Sequence, residues 1–263
     1  MRIYRVQHLQ TKEIAHAVLQ DGVFRRVSET LNSMMSTVES GTSPAAGAPI
    51  GAEDDVRLLA PATPTKVVCV GLNYQHHADE MGKEVPEEPM LILKPSTAVI
   101  ATGEAIELPP ESNEVHHEGE LAVVIGRTGR RIHESEVGEH ILGYTCANDV
   151  TARDIQRREM RYTRSKGFDT FCPLGPAIAT ADDFDPADHR LACRVDGEQR
   201  QTSTLDDFIF TVPEVISFVS RVMTLHAGDV VLTGTPSGVG VIESGDQVEV
   251  EVDGIGTLAN PVE

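Results

Sequence analysis

The sequence predicts an α+β fold that is rich in β-strands and consists of a small N-terminal domain and a larger second domain. Beyond Pro64, apolar runs of strand length recur between turn signals, whereas helical patterns are short and few. A stretch rich in Gly, Pro, Ser and Ala over residues 39–51 predicts an exposed loop or linker. We therefore assign residues 1–62 to the small domain and residues 63–263 to the larger one.

The predicted strands share a high content of apolar and β-branched residues. They are Arg2–Val6, Lys66–Val70, Met90–Leu93, Leu121–Ile125, Asp229–Thr233 and the strictly alternating Gln247–Val252. The predicted helices are Tyr74–Met81, Glu134–His140, Thr151–Arg161 and Val212–Met223. In the last of these, Pro213 occupies a first-turn position, where its missing N–H costs nothing.

Composition excludes several classes of partner. The 41 acidic residues against 22 basic ones give a formal net charge of -19, and only five of the basic residues are lysines. Such a surface repels nucleic acid and anionic lipid, so we expect neither nucleic acid nor a membrane as a partner. An acidic, lysine-poor surface suits an ordinary cytosolic protein and a protein adapted to high salt equally well.

The N-terminus lacks the apolar core of a signal peptide, and no apolar run approaches the ~18 residues of a membrane span, so we expect a cytoplasmic protein. The four cysteines lie far apart and form no Cys-x-x-Cys pair. We therefore expect reduced, buried thiols and neither a zinc site nor a disulfide framework.

Two acidic residues, Glu118 and Glu120, stand two apart where the chain enters the apolar run Leu121–Ile125. Side chains two apart on a strand project from the same face, so these two carboxylates can converge on one point. At the edge of a core they would repel each other and lose hydration unless a cation lay between them. A hard divalent cation is the obvious candidate.

The best candidate for a third ligand is Asp149, which ends a strand-like run just before a predicted helix. The same position suits an Asp that only caps the helix, and both roles stay open at this point. Three carboxylates without Cys or an obligatory His favour Mg²⁺ or Mn²⁺ over zinc or copper, and Ca²⁺ is less natural at a catalytic site.

A second constellation lies in the predicted helix Tyr74–Met81. There His77 and Glu80 are three apart, so the carboxylate can orient the imidazole as in a water-activating base. The alternative is a surface histidine in a helix ion pair. His116 and His117 compete as ligands or bases, although only one of two adjacent strand residues can face the site.

Three further segments have turn chemistry and together outline an anion-binding pocket. Lys94 and Lys166 each lie in a loop-like segment with Pro or Gly, and Thr233–Gly240 offers hydroxyls and backbone N–H groups after a strand. No Gly-Lys-Ser/Thr ending follows the glycines of Thr233–Gly240, so nucleotide binding is not expected.

Six motifs follow one another along the chain: Gly71–Tyr74, Lys94–Ser96, Glu118–Glu120, Asp149–Gln156, Lys166–Asp169 and Gly234–Gly238. In this order they resemble the motifs of the fumarylacetoacetate hydrolase family, which includes acylpyruvases and isomerases of 2-hydroxyhepta-2,4-diene-1,7-dioate type. The resemblance covers roughly residues 66 to 245.

This resemblance implies a twisted, barrel-like β-sheet domain of fumarylacetoacetase type behind a small N-terminal domain, assembled as a homodimer. It implies that Glu118, Glu120 and Asp149 are ligands of Mg²⁺ or Mn²⁺. It also implies that His77 and Glu80 form the water-activating dyad on a lid-like segment.

The remaining site residues also follow from the resemblance. Lys166 and Gln156 match groups that stabilise developing oxyanion charge. Lys94 and Thr235 match positions that contact the substrate, and Tyr74 is assigned to substrate binding with them.

The chemistry implied is that of 2-oxo and 1,3-dioxo acids. Such an acid can chelate the metal, so that an enolate is stabilised by the cation and by Lys166. With water activated by His77 and Glu80, we expect carbon–carbon bond hydrolysis of an acylpyruvate-like substrate.

Two other reactions pass through the same enolate and remain alternatives. They are isomerisation of a 2-hydroxymuconate-type dienoate, as in aromatic catabolism, and decarboxylation of oxaloacetate. A non-catalytic protein that binds a metal and a 2-oxo acid is the alternative from another class. The joint presence of His77 and Glu80 argues against it.

Overall fold

A computed structural model describes residues 1–27, 34–35, 46–159 and 161–263. Within these ranges the strands are β1 (Arg2–His8), β2 (Ile14–Gln20), β3 (Val23–Val27), β4 (Ala46–Ala52), β5 (Val56–Leu59), β6 (Val67–Gly71), β7 (Met90–Lys94), β8 (Val99–Ile100), β9 (Val115–His117), β10 (Gly119–Ile125), β11 (Ile141–Asn148), β12 (Thr151–Ala152), β13 (Cys172–Thr180), β14 (Arg190–Val195), β15 (Glu198–Thr204), β16 (Val230–Leu232), β17 (Gly240–Val241), β18 (Gln247–Val252) and β19 (Gly256–Pro261). The α-helices are α1 (Gln75–Glu80), α2 (Arg153–Glu159), α3 (Tyr162–Lys166) and α4 (Val212–Val222).

Three sheets organise these strands. The largest has 12 strands in the order β4-β3-β2-β1-β13-β11-β10-β16-β6-β7, with β5 paired to β1 and β8 paired to β13. A three-stranded sheet has the order β12-β9-β17, and a four-stranded sheet has the order β15-β14-β18-β19. The fold is therefore strand-rich α+β around one large twisted sheet, as predicted.

Strand β10 lies inside the large sheet and is buried on both faces. Leu121, Val123 and Ile125 belong to one apolar cluster, whereas Ala122 and Val124 belong to the cluster on the opposite face. Side chains alternate across a strand, so Glu120 and Glu118 project on the side of Ala122 and Val124. The acidic pair thus emerges from a strand that is buried along its whole length.

The predicted strands of the larger domain are confirmed with shifts of one or two residues at their ends. The predicted helix Thr151–Arg161 differs at its start, because Thr151 and Ala152 pair with β9 and the helix begins at Arg153. Glu134–His140 forms a 3₁₀-helix. Helix α4 begins with Pro213 in its first turn, and Thr211 and Glu214 form a capping box.

The N-terminal segment is joined to the large sheet through β1. This strand pairs with β2 and β5, and its residues Arg2 and Ile3 pair with β13. Part of the predicted exposed loop or linker is instead a strand, because Ala46–Ala52 forms β4 and pairs with β3. The rest of that prediction, residues 39–45, lies outside the described residues, and the domain boundary after residue 62 stays a prediction.

Two predictions from composition concern cysteines and membranes. All four cysteines are buried free thiols, as predicted. Among the described residues, no helix combines the length and apolar character needed to cross a bilayer. The homodimer and the cytoplasmic location stay predictions.

Gly143 in β11 tests how tightly the large sheet is packed. A Cβ atom there would lie 2.0 Å from the carbonyl oxygen of Ala179 in β13. We expect Gly143→Ala to lower the free energy of unfolding by about 3 kcal/mol, the upper end for overpacked interiors, because backbone cannot rotate aside. Urea unfolding would measure this.

Gly138 provides the matched control, because a Cβ atom at that exposed position would have no neighbour within 4 Å. Gly138→Ala should change the free energy of unfolding by no more than about 0.5 kcal/mol. Equal effects of the two substitutions would contradict the packing described for β11 and β13.

Candidate active site

The register between β10 and β11 brings the first two acidic segments together. Gly119 pairs with Asn148, so Asp149, the next residue, lies beside Glu118. The backbone N–H of Asp149 donates to the carbonyl oxygen of Glu118 at 2.8 Å, and the backbone N–H of Glu118 donates to Asn148 Oδ1 at 2.9 Å. The acidic groups are therefore held by backbone pairing on either side of the strand ends.

Three buried carboxylates meet at this point. One oxygen each of Glu118, Glu120 and Asp149 lies within 4.8 Å of the others, and the three residues are 5%, 1% and 2% exposed. Carboxylate oxygens at this spacing form the donor set that hard divalent cations prefer. The expected convergence of these three side chains is present.

Three cations surround two of the carboxylates. Lys166 Nζ donates to Glu118 Oε2 at 2.9 Å and to Asp149 Oδ2 at 2.6 Å, and Lys94 Nζ donates to Asp149 Oδ1. Arg153 Nη2 donates to Glu118 Oε1. The Asp149 carboxylate is thus bound by lysines and does not cap helix α2, which removes the alternative role considered for it.

The pKa values follow this distribution of charge. Burial alone would raise the pKa of Glu118, but Lys166 and Arg153 outweigh it and hold that pKa well below the ordinary value. Burial would likewise lower the pKa of Lys166, and Asp149 and Glu118 outweigh it and raise the pKa. Both groups are therefore charged in the folded protein.

Glu120 is the exception. Its carboxylate accepts one hydrogen bond, from the backbone N–H of Gly234 at 2.6 Å, and forms no ion pair with any described residue. Burial and the nearby Asp149 and Glu118 carboxylates raise its pKa well above the ordinary value. A buried carboxylate in this position needs either a proton or a cation, so the donor set fits a divalent metal ion bound by Glu118, Glu120 and Asp149.

The segment after β16 completes this side of the site. Strand β16 pairs with β10, so Thr233, Gly234 and Thr235 run beside Glu120 and Gly119. Thr235 Oγ1 donates to the carbonyl oxygen of Gly119 at 2.8 Å. Gly234 has a φ of +100°, and a Cβ atom there would lie 2.7 Å from the Asn73 side chain, so only glycine fits.

His77 lines the same pocket as the carboxylates, and Glu80 contacts His77 from outside the lining. His77 Nδ1 and Glu80 Oε2 are 3.0 Å apart, and Glu80 Oε1 accepts the backbone N–H of Gly238 at 3.0 Å. In the neutral tautomer that donates Nδ1–H to Glu80, His77 Nε2 is available as a base, and it forms no hydrogen bond within the described residues. The dyad is therefore arranged as a base supported by a carboxylate.

One pocket is lined by both His77 and the three carboxylates. Its lining includes His77, Lys83, Glu118, Glu120, Asp149, Arg153, Gln156, Tyr162, Lys166 and Thr235. Gln156 Oε1 accepts from Arg153 Nη1 at 2.6 Å, which leaves the Gln156 amide N–H groups without a partner among the described residues. Seven of the ten residues assigned from the sequence to catalysis, substrate or metal line this pocket, and the three that do not are Glu80, Tyr74 and Lys94.

Two of the predicted substrate contacts lie apart from the pocket. Lys94 is 1% exposed, and its ammonium group is directed at Asp149 and the carbonyl oxygen of Val150. Tyr74 is 2% exposed, stacks edge to face with Phe208 and has a buried hydroxyl without a hydrogen-bond partner. Substrate contact by these two residues stays a prediction.

The two neighbouring histidines face different ways, as expected for a strand. His116 contacts Glu114 and Arg153, on the side of the carboxylates. His117 is fully buried against Gln201 and Cys193. Burial lowers the pKa of His117 to about 4, so the ring is neutral and can donate Nδ1–H to Gln201.

Sequence reasoning assigned no role to Arg153 or Gln201. Arg153 is 3% exposed, and its place within the motif Asp149–Gln156 was the signal that the sequence offered. Gln201 lies in the wholly polar segment Glu198–Thr204, which carries no sign of burial, although Gln201 is 1% exposed.

The fold and this pocket define a family of enzymes. Residues 66–263 match the family model described as fumarylacetoacetate (FAA) hydrolase C-terminal. The chain belongs to the fumarylacetoacetate hydrolase family, whose members include hydrolases, isomerases and an oxaloacetate tautomerase, and it is an enzyme of that family.

Named relatives represent several of these activities. A mitochondrial oxaloacetate tautomerase of Bos taurus is 44% identical over 81% of this chain and 72% of its own length. The 5-carboxymethyl-2-hydroxymuconate delta-isomerase of Mycobacterium smegmatis is 42% identical, with a TM-score of 0.86 over 100% of this chain and 99% of its own. A fumarylacetoacetate hydrolase from Exiguobacterium antarcticum is 36% identical, with a TM-score of 0.86 over the same shares.

The different surroundings of Glu118 and Glu120 give opposite expectations for two matched substitutions. In metal-free protein, Glu118→Gln should lower the free energy of unfolding by about 3 kcal/mol, because it leaves Arg153 buried without its counter-charge and removes one of the two carboxylates that pair with Lys166. Glu120→Gln should be neutral or stabilising, because Glu120 forms no ion pair with a described residue and its replacement leaves no buried cation without a counter-charge. Urea unfolding measures both.

Isothermal titration calorimetry with Mn²⁺ compares metal binding by the Glu118→Gln and Glu120→Gln variants. Both variants should lose measurable Mn²⁺ binding, since each lacks one carboxylate of the donor set. A Glu120→Gln variant that bound Mn²⁺ like the wild type would exclude this carboxylate as a ligand.

Proposed function

We propose that this enzyme transfers a proton at the carbon next to the 2-oxo group of a 2-oxo dicarboxylate. The reaction is then a keto–enol tautomerisation or the isomerisation of a 2-hydroxydienoate. The observation that carries the proposal is the pocket itself, which is lined both by His77, hydrogen-bonded to Glu80, and by a cluster of cations and hydrogen-bond donors. The named tautomerase and isomerase relatives support this choice.

Glu118, Glu120 and Asp149 would hold the metal ion, for which Mg²⁺ and Mn²⁺ suit an all-carboxylate donor set best. Such an ion polarises the 2-oxo group of a substrate as a Lewis acid. The choice between the two ions belongs to this proposal.

Side chains of the protein can also stabilise the negative charge that develops on the enolate oxygen. The three N–H groups of Lys166 already bind Glu118, Asp149 and Thr151, so a substrate oxygen must displace one of them to be contacted directly. The free amide N–H groups of Gln156 need no such exchange. Gln156, held in place by Arg153, is therefore the readily available donor, and Lys166 adds its positive charge from a buried position.

His77 transfers the proton, and Glu80 supports it. His77 Nε2 takes a proton from the carbon next to the 2-oxo group, and the electron pair moves onto the 2-oxo oxygen. The imidazolium that results is stabilised by Glu80 at 3.0 Å. Return of the proton to oxygen gives the enol. A 2-hydroxydienoate enters as the enol, so His77 would instead take its O–H proton, and return of that proton to the far carbon of the dienolate would give the 2-oxo isomer.

Lys83 supports a substrate with a second carboxylate. It lines the pocket and forms no ion pair among the described residues, whereas Lys66, Lys94 and Lys166 each pair with a carboxylate. An unpaired ammonium at the pocket attracts an anionic group beyond the 2-oxo acid end. Both oxaloacetate and the muconate-type dienoates carry such a group.

Carbon–carbon hydrolysis of an acylpyruvate-like substrate is the second candidate. Its support is the same His77–Glu80 hydrogen bond, which would equally orient a base toward a water molecule, together with the hydrolase from Exiguobacterium antarcticum. Decarboxylation of oxaloacetate would use the same donors without a base.

A substrate panel separates these reactions. Oxaloacetate, muconate-type dienoates and acylpyruvates are assayed with Mg²⁺ and with Mn²⁺, and enol, isomer, cleaved acid and CO₂ are measured separately. Tautomerisation or isomerisation of a dicarboxylate should give the highest kcat/KM. Acylpyruvate cleavage alone would establish the second candidate, and no turnover of any substrate would favour a binding protein.

His77→Gln tests the base. The substitution keeps a polar side chain of similar reach but removes the basic nitrogen, so kcat should fall by about 10²–10⁴ while Mn²⁺ affinity is retained. Steady-state kinetics and Mn²⁺ titration measure the two quantities. Unchanged turnover of every substrate would remove His77 from the mechanism.

Lys83→Met tests the dicarboxylate preference. It should raise KM for oxaloacetate about 10-fold or more and leave KM for a 2-oxo monocarboxylate little changed, because only the former has an anion to pair with Lys83. Lys12→Met, which removes the same charge from the exposed turn after β1, is the control and should alter neither value. Equal effects on both substrates would contradict the role given to Lys83.

A further inference from the structure

Gln201 lies outside the pocket but contacts two of the segments that build it. It sits on β15, is 1% exposed and does not line the pocket. Its side chain makes four hydrogen bonds, so both N–H groups and both lone pairs of the amide have partners. A fully satisfied buried amide fixes the position of everything it binds.

The carbonyl end of Gln201 holds the segment that carries the metal ligands. Gln201 Oε1 accepts the backbone N–H of Gly119 at 2.9 Å and lies 3.2 Å from His117 Nδ1. Gly119 is the residue between Glu118 and Glu120. A shift of this amide group would therefore rotate both carboxylates relative to each other.

The amide nitrogen of Gln201 holds the segment after β16. Gln201 Nε2 donates to Thr235 Oγ1 at 2.7 Å and to the carbonyl oxygen of Pro236 at 2.8 Å. Thr235 Oγ1 in turn donates to the carbonyl oxygen of Gly119 at 2.8 Å. Gln201, Gly119 and Thr235 thus form a closed ring of hydrogen bonds behind the carboxylates.

The same segment also contacts helix α1, which carries His77 and Glu80. Its first glycine, Gly234, donates to Glu120, and Gly238 donates to Glu80. A Cβ atom at Gly238 would lie 2.1 Å from the carbonyl oxygen of Arg200, so the segment packs on the backbone next to Gln201. Its position therefore sets both a carboxylate of the metal site and the partner of His77.

We propose that Gln201 is a positioning residue that fixes Glu118 and Glu120 for the metal ion and aligns Glu80 with His77 through the segment Thr233–Gly240. It touches neither the substrate nor the metal. The inference rests on the proposed metal site, and it adds to that site a buried amide 82 residues away from Gly119 in the chain.

The test compares two isosteric substitutions of buried amides. Gln201→Met removes all four hydrogen bonds, and Asn260→Leu removes those of Asn260, whose amide nitrogen donates to the carbonyl oxygens of Ala101 and Glu104 away from the pocket. Both should lower the free energy of unfolding. Gln201→Met alone should weaken Mn²⁺ binding, measured by titration without substrate, by about 10- to 100-fold.

A second readout separates positioning from stability. At saturating Mn²⁺, Gln201→Met should lower kcat about 10-fold or more with a smaller change in KM, because Glu80 and His77 are misaligned. Mn²⁺ affinity equal to that of the wild type in folded Gln201→Met would overturn the proposal, as would an equal loss of affinity in Asn260→Leu.

Thr235→Val provides a variant that keeps shape and removes the hydroxyl of the ring. Like Gln201→Met, it should weaken Mn²⁺ binding. If Gln201→Met does not fold, Thr235→Val tests whether the hydrogen-bonded ring positions the metal ligands. Unchanged affinity in Thr235→Val would then overturn the proposal. Mn²⁺ titration uses no substrate, so it tests the role of Gln201 even if no substrate in the panel is turned over.

Discussion

The arrangement of the site depends on one uncompensated charge, the buried carboxylate of Glu120. Glu118 and Asp149 have their charges balanced by Lys166, Lys94 and Arg153, but Glu120 has only a backbone N–H. Isolating such a group from water costs several kcal/mol unless it takes up a proton or a cation. A divalent ion meets that need and at the same time presents a Lewis acid to the pocket.

Strand register, rather than local sequence, determines which charged and polar groups surround each carboxylate. Pairing of β10 with β11 places Asp149 beside Glu118, and pairing of β10 with β16 places Gly234 beside Glu120. Strand β6 pairs in parallel with β16, and helix α1, which carries His77, follows β6 in the chain. Acid, base and donors thus come from distant segments that meet at the ends of adjacent strands in one rigid sheet.

Local rules predicted the parts of this site that local geometry determines. The two-residue period of a strand was enough to place Glu118 and Glu120 on one face, and the helical spacing of His77 and Glu80 was enough to pair them. The contact between Arg153 and Glu118 spans 35 residues, and that between Gln201 and Gly119 spans 82. Such contacts follow from topology, which no single segment encodes. The polar sequence of β15 even predicts exposure where Gln201 is buried.

The most direct measurement is calorimetric titration of the metal-stripped protein with Mn²⁺ at mildly acidic pH, repeated in buffers of different ionisation enthalpy. Because the raised pKa of Glu120 keeps a proton on that carboxyl in the absence of metal, one ion per chain should bind with release of a proton to the buffer. The observed heat should therefore change with the buffer. An absence of saturable binding, or binding whose heat is the same in every buffer, would contradict the account.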